Sequence, residues 1–373
     1  MSSVGVAVAK PCNQVLEAGS TMSDLGKPNL PFRNFVHFSE QEAEQLMLRM
    51  LSGAMSTEEI AEVLHFLRRK GETTHELTGF ASAIRKMAEP VELDQSTDPV
   101  LDTCGTGGDG SNTFNISTAT AFVVAGAGLR VAKHGNRKIS SQCGSADVLE
   151  ALGVSVSMSA RQVADCINEI GVGFLYAPLL HPAVKHAQEA RLLLQGRTVF
   201  NMLGPLTNPV RARVQLIGAF SIRAAEMMAR AAAKLGVERA FVVHGSDGLD
   251  EVTVTGPTTV FQVDEGEVQK GRWIPGDFGS PVYKPEDLEG GDVATNANII
   301  RSIMRGERGP KREVVIANAA AALFLAKHAV DLRSAVSMAV QSIDGGAARR
   351  KLEQLIEHSA KLGQQQPVSH QAE

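Results

Sequence analysis

A chain of 373 residues, 43% hydrophobic and 21% charged, has enough apolar material for a sizeable core and a length that suggests two domains or one large one. Its net charge of −4 argues against a protein that grips nucleic acid through a global positive field, although a local basic pocket remains open. Four cysteines without a Cys-x-x-Cys pair fit a reducing compartment, and no apolar run approaches the ~18 residues of a membrane span, so a cytoplasmic protein without a membrane partner is expected.

Residues 1–33 are punctuated by Gly and Pro without a clear period, and residues 362–373 are polar; both are expected to be loosely ordered. From 34 to 97 the pattern is helical. Ser39-x-x-Glu42, Ser56-x-x-Glu59 and Thr73-x-x-Glu76 are successive capping boxes, in which a hydroxyl and a carboxylate satisfy N–H groups that a first helical turn leaves free. Gly71 and Pro90 stop the second and third helices. The grammar then changes. Residues 100–104 read as a short buried strand, 116–125 as a helix, 130–133 as a strand, and 146–152 as a helix closed by Gly153. Such alternation implies a parallel sheet. Helices return at 160–170 and 182–195, followed by a strand at 214–220, a helix at 223–235, a strand at 240–244, a hairpin over 258–269 and a mostly helical stretch from 313 to 361.

The turn after the first strand, Gly105-Thr106-Gly107-Gly108-Asp109-Gly110, puts four glycines within six positions. Glycines let the backbone bring several N–H groups to one anion. The helix entry that follows, with Thr113, Asn115, Ser117 and Thr118, adds free N–H donors and a partial positive charge. The glycines formally match a dinucleotide fingerprint. That fingerprint wants an acidic residue about 20 positions further on, where this chain carries the basic run Arg130 to His134. No Gly-Lys-Ser/Thr follows, so the turn is not a P-loop either. Lys133-His134-Gly135-Asn136-Arg137 leaves a predicted parallel strand at its carboxyl end, where α/β sheets place ligands. A further helix N-terminus lies near Ser145. Three anion-binding devices so close together suggest a substrate with more than one phosphate. Asp250 and Glu251, in the loop after the strand at 240–244, could hold Mg²⁺, which prefers hard oxygens and offsets their repulsion of phosphates. Each feature taken singly has a plainer reading: a tight strand–helix turn, a solvated loop, an acidic turn, and for Arg191 a surface helix cation. The histidines show no metal spacing.

These motifs, together with Asn201 to Pro209 (Asn-Met-Leu-Gly-Pro-Leu-Thr-Asn-Pro) and His244-Gly-x-x-Gly-Leu-Asp-Glu251, stand in an order and spacing in which the chain resembles the anthranilate phosphoribosyltransferases over roughly residues 38–361. The resemblance implies an α/β fold class: a small, discontinuous α-helical domain (34–97 and about 160–199) hinged to a larger α/β domain (98–159 and about 200–361) with a central, mostly parallel sheet flanked by helices. It implies transfer of 5-phosphoribosyl from phosphoribosyl pyrophosphate (PRPP) to anthranilate, a Mg²⁺ cofactor, a homodimer formed through the helical domains, and no nucleic-acid partner. PRPP would lie across Gly105, Gly108, Asp109, Thr113, Asn115, Ile116, Ser117, Thr118, Lys133, His134, Gly135, Asn136, Arg137, Lys138, Ile139, Ser140, Ser141 and Ser145. Anthranilate would lie near Gly105, Asn136 and Arg191, and the metal on Ser117, Asp250 and Glu251. Lys133, Asn136 and Arg191 would carry the catalytic roles. The chain departs from the commoner pattern at Lys138-Ile139, at Gln142-Cys143 and at Gln188-Glu189-Ala190 before Arg191. Two other readings stay open: a pyrimidine nucleoside phosphorylase-like enzyme of the same fold, and a non-enzymatic nucleic-acid-binding relative.

Overall fold

The three capping boxes form, and each opens a helix: α1 (Glu40–Leu51), α2 (Thr57–Lys70) and α3 (Thr74–Met87). The Ser39, Ser56 and Thr73 hydroxyls accept the backbone N–H three residues on, and Glu42, Glu59 and Glu76 accept from the cap N–H at 2.8, 2.8 and 3.0 Å. The apolar stripe Ile60, Val63, Leu64 and Leu67 is buried, and α1 packs on α3. A computed structural model describes residues 37–94, 99–137 and 143–364. The expected leader, the end of the polar tail, and the expected ligands Lys138, Ile139, Ser140 and Ser141 lie outside the described residues.

After the first helices the chain alternates: β1 (Val100–Gly105), α4 (Ile116–Gly126), β2 (Arg130–Gly135), α5 (Ser145–Leu152), α6 (Ala160–Ile170), β3 (Val172–Tyr176). Three helices follow, α7 (Ala177–Leu180), α8 (Gln188–Leu194) and α9 (Phe200–Leu206), with a 3₁₀ segment Pro182–Ala187 between the first two. Alternation resumes with β4 (Val214–Gly218), α10 (Ile222–Lys234), β5 (Arg239–Gly245) and the hairpin β6 (Thr258–Asp264) and β7 (Glu267–Trp273). The chain closes with α11 (Val293–Met304), α12 (Pro310–Leu325), α13 (Leu332–Asp344) and α14 (Ala347–Gln364).

The strands make one sheet in the order β3-β2-β1-β4-β5-β6-β7, parallel from β3 through β5 and antiparallel beyond. From β1 the chain builds the sheet toward β3, and from β4 it builds the other way. The carboxyl ends of β1 and β4 therefore flank a topological switch point, where open α/β sheets bind ligands. Gly105 and Gly218 sit opposite one another there. Helices α4, α12, α13 and α14 form one packed group against the sheet; α9 and α10 form another. The last strand, β7, exposes Glu267, Gln269, Lys270 and Arg272. Among the described residues no helix is long and apolar enough to cross a membrane.

The second helical block is more divided than its sequence suggests. Helix α8 packs on α2, and the 3₁₀ segment packs on α1. Helix α6 instead lies on β3 and α14. Its buried stripe Val163, Ala164, Cys166 and Ile167 faces the sheet, and Gly173 of β3 approaches so closely that a Cβ there would lie 2.6 Å from Ile167. The part of the block resting on the first helices thus begins after β3, not at residue 160.

Candidate active site

The glycine turn is held open by two other elements. Thr106 N–H donates to the Gly218 carbonyl at 3.0 Å, extending the β1–β4 ladder by one rung. Gly107 N–H then donates to Asp250 Oδ2 at 2.7 Å. Gly107, Gly108 and Gly110 have φ of 63°, 68° and 82°, a left-handed run that L side chains rarely adopt. Gly105 and Gly218 serve a different purpose. A Cβ on Gly105 would lie 2.6 Å from Asp250 Oδ2, and one on Gly218 would collide with the Asp250 backbone oxygen. The two strand ends are bare so that the acidic loop can seat between them.

Lys133, buried on β2, donates its ammonium to the Thr103 carbonyl at 2.6 Å and to Ser117 Oγ at 3.0 Å. It thereby ties β1 and β2 to the first turn of α4. The Ser117 backbone also hydrogen-bonds Glu251, and the charges of Asp109 and Lys133 both reach that carboxyl. Burial holds the Asp250 and Glu251 carboxyls above their ordinary range. Repulsion from Asp109 adds to this at Asp250, and repulsion from Asp250 adds to it at Glu251. Carboxylates gathered in a crevice beside backbone amides would repel an anionic ligand unless a cation lay between them. The oxygens of Asp250, Glu251 and Ser117 suit a hard ion such as Mg²⁺. Among the described residues no three His, Cys, Asp or Glu side chains are grouped to hold a metal by themselves. Magnesium commonly completes its shell with waters and substrate phosphates. The loop behind Glu251 is fixed by Asn318, fully buried on α12. Its side chain accepts from Val252 N–H at 2.9 Å and donates to the Val252 carbonyl at 2.8 Å.

Several expected ligands have other employment. His134 points away from Lys133, because successive side chains on a strand face opposite sides. Its N–H donates to Asp102 at 3.1 Å, its Nδ1 to the Gly204 carbonyl at 3.0 Å, and its ring lies 5.1 Å from that of His181. Burial lowers the pKa of His134 to about 4 and that of His181 to about 3. Arg137 is engaged by neighbours of α5 and β3. It donates to Asp147 at 3.1 Å, to both Glu150 oxygens at 2.6 Å and to the Tyr176 hydroxyl at 3.1 Å. Ile116 and Thr118 are buried, leaving Ile116 only its backbone to offer. Asn115 does not cap α4 with its side chain. Its amide donates to the Cys143 carbonyl at 3.1 Å and accepts from Asn296 of α11 at 3.2 Å, drawing the entry of α4, the loop before α5 and α11 together. Thr113 bridges to Glu289. Ser145 Oγ is engaged with the backbone of Asn136 at 3.2 Å.

Arg191, half-buried on α8, stacks over Phe200 with its guanidinium carbon 4.9 Å from the ring centre. Burial lowers its pKa. Among the described residues no carboxylate pairs with it, so its planar fork is available to an anionic ligand. Arg197, which carries no motif, reaches the glycine turn: its Nε donates to the Gly108 carbonyl at 3.1 Å. A long polar side chain shortly after Arg191 was the one cue in the sequence, and it names no partner.

The helical part and the sheet part are each matched by a family model. The description "Glycosyl transferase family, helical bundle domain" covers residues 33–88, and "Glycosyl transferase family, a/b domain" covers residues 97–349. The anthranilate phosphoribosyltransferase of Solibacter usitatus (strain Ellin6076) is 53% identical over 324 residues, 87% of this chain and 95% of that protein. The crystal structure of the anthranilate phosphoribosyltransferase from Thermus thermophilus matches with a TM-score of 0.83 and 37% identity, covering 88% of this chain and 98% of that one. The enzyme of that name from Saccharomyces cerevisiae, solved in complex with PRPP and Mg, matches with a TM-score of 0.80 and 28% identity over 87% of this chain and 94% of that one.

Proposed function

The chain belongs to the anthranilate phosphoribosyltransferase family, and from that footing we propose how its residues perform the transfer. It moves 5-phosphoribosyl from PRPP to the amine of anthranilate, giving N-(5-phosphoribosyl)anthranilate and pyrophosphate, the second step from chorismate in tryptophan biosynthesis. An arylamine is neutral at pH 7, so its lone pair is available without a strong base. The difficulty lies in separating a highly charged leaving group from a carbon that becomes cationic. The amine attacks C1 of the ribose as the bond from C1 to the pyrophosphate oxygen breaks, with inversion, and the arylammonium so formed gives up its proton to the departing pyrophosphate or to solvent.

The glycine-turn amides, the N-terminus of α4 and Lys133 receive the charge that develops on pyrophosphate, already oriented before the reaction begins. Asp250, Glu251 and the Ser117 hydroxyl hold Mg²⁺, which when bound neutralises the diphosphate. PRPP extends over Gly105, Gly108, Asp109, Thr113, the Asn115–Thr118 backbone, Asn136 and Ser145. Arg191 receives the anthranilate carboxylate, where a planar fork meets two coplanar oxygens, and Asn136 positions the amine. The helical part is discontinuous, residues 37–94 with the chain following β3, and it closes on the sheet to exclude water that would hydrolyse the activated sugar. The protein works in the cytoplasm as a homodimer joined through its helices, without nucleic acid.

One observation carries this reading: Gly107 N–H on Asp250, and Lys133 on Ser117, which in turn supports Glu251, draw three separate motifs onto one strand-end crevice. Loss of anthranilate fluorescence in the presence of PRPP, with and without Mg²⁺, tests it. Consumption should require the metal, whereas thymidine with phosphate should yield nothing; the reverse pattern would install the nucleoside phosphorylase. Asp250→Asn combined with Glu251→Gln should lower the Mg²⁺-dependent rate by about 10²-fold or more, the scale of losing preorganised charge stabilisation. An unchanged rate would remove that pair from the metal site.

A further inference from the structure

Arg197 lies in the short segment between α8 and α9, and nothing in the proposed mechanism uses it. Its Nε donates to the Gly108 carbonyl at 3.1 Å, and Nη2 reaches the same oxygen. Its guanidinium carbon stands 4.4 Å from the centre of the Phe220 ring. Phe220 is itself moored to the turn, for its N–H donates to Thr106 Oγ1 at 3.1 Å. The guanidinium, its aromatic platform and the glycine turn therefore form a closed circuit.

A trans peptide is planar, with its C=O and N–H directed oppositely. Fixing the Gly108 carbonyl on Arg197 thus turns the N–H of Asp109 away from the guanidinium. One residue earlier, Gly107 N–H is fixed on Asp250 at 2.7 Å. Between these ties lies Gly108, with φ of 68°. Glycine has no Cβ to hinder its backbone, so ψ at Gly108 is free to turn and the Gly108–Asp109 peptide can rotate there unless its carbonyl is held. An exposed arginine making an incidental contact would not be expected to place two donors on one carbonyl while stacked on a ring that the same loop holds.

We infer that Arg197 is a positioning residue: it locks the Gly108–Asp109 peptide in the orientation that presents the turn's amides to pyrophosphate. It also joins that turn to the acceptor side, because Arg191 and its platform Phe200 lie on the same short stretch of chain. This rests on the reading of the glycine turn as the PRPP site.

The test compares Arg197→Ala, Arg197→Lys and the parent enzyme in steady-state kinetics with each substrate varied. Arg197→Ala should raise KM for PRPP about tenfold, the scale of a lost charge-assisted hydrogen bond, with KM for anthranilate changed less than about twofold. Millimolar guanidinium chloride should recover part of that loss in Arg197→Ala and nothing in the parent. Lysine should not restore it, since an ammonium lacks both the fork and the flat face. If Arg197→Ala melts early, Phe220→Leu, which keeps the guanidinium but removes its platform, should show the same PRPP-specific rise. An unchanged KM for PRPP, or equal rises for both substrates without guanidinium rescue, overturns the inference. Asp250→Asn with Glu251→Gln is assayed alongside. If that variant also binds PRPP normally, the site reading has failed; if it fails to bind while Arg197→Ala is silent, only the role of Arg197 has failed.

Discussion

Asp250 occupies its place because two residues facing it have no side chain. Gly218→Ala should therefore force the acidic loop out of the crevice, costing about 1–3 kcal/mol as overpacking does and removing most turnover. Gly271→Ala on β7, where a Cβ would meet nothing within 4 Å, is the matched control and should leave both unchanged. Denaturant melts and the fluorescence assay read the two effects. At Arg191 the expectation is one of selectivity. Its guanidinium has an aromatic neighbour and no acidic one among the described residues, so Arg191→Ala should raise KM for anthranilate about tenfold, as for other hydrogen bonds to charged groups, and leave KM for PRPP nearly untouched. Equal rises would take Arg191 out of the acceptor site.

At the scale of elements, the His134–His181 pair joins β2 to the turn that follows α7. Both imidazoles are buried and held neutral, at about 4 and about 3 against an ordinary 6.5, with Lys133 adding repulsion at His134 and His134 at His181. The unfolded chain takes up a proton in this window and the folded chain does not, so the stability linked to each ring is complete above pH ~6.5 and falls as pH drops toward 4. Asp102, pushed up to about 6 by burial, works in the opposite sense over the same range. The clean comparison is thus between variants: stability should fall less from pH 7 to pH 5 in His181→Gln than in the parent, measured by denaturant melts at each pH.

What could be read in advance follows the same logic of near and far. The capping boxes of α1 to α3 were legible because every partner lies within three residues. The glycine turn, Lys133 and the Asp250–Glu251 pair stood out because so many polar groups in an apolar setting demand a use. Strand β3 was hidden as five residues between helical stretches, with a glycine interrupting its apolar run. Helix α9 contains Pro205, and α11 gave no expectation. The contacts of His134 and Arg137 were hidden because adjacency to Lys133 does not reveal which face a strand turns each side chain to, nor that Glu150 waits 13 residues away. Arg197 and Asn318 were missed for the complementary reason. Their partners lie 89 and 66 residues distant, and neither has a local signature.

For the whole molecule, the order of the strands decides where chemistry can occur, since the chain builds the sheet in opposite directions from the paired strands β1 and β4 and leaves room for a ligand beyond their carboxyl ends. Helix α3 is tied to the other side of this arrangement by Arg85, which donates to the Leu206 carbonyl at 2.6 Å and the Leu235 carbonyl at 2.9 Å, at the C-terminal ends of α9 and α10. A cation there meets the negative ends of two helices, and it fastens α3 to both. The sheet's far margin has a different task. Strand β7 turns a row of charged side chains to solvent, Lys270 and Arg272 among them, as sheet margins do when joining a neighbouring chain would be harmful. Lys270→Val with Arg272→Val should make concentrated solutions scatter light while activity per dissolved molecule holds. The protection is electrostatic, and its reach contracts from roughly 10 Å in 0.1 M salt to about 3 Å in 1 M. Strong brine, rather than heat or dilution, is then the condition under which neighbouring copies would begin to adhere.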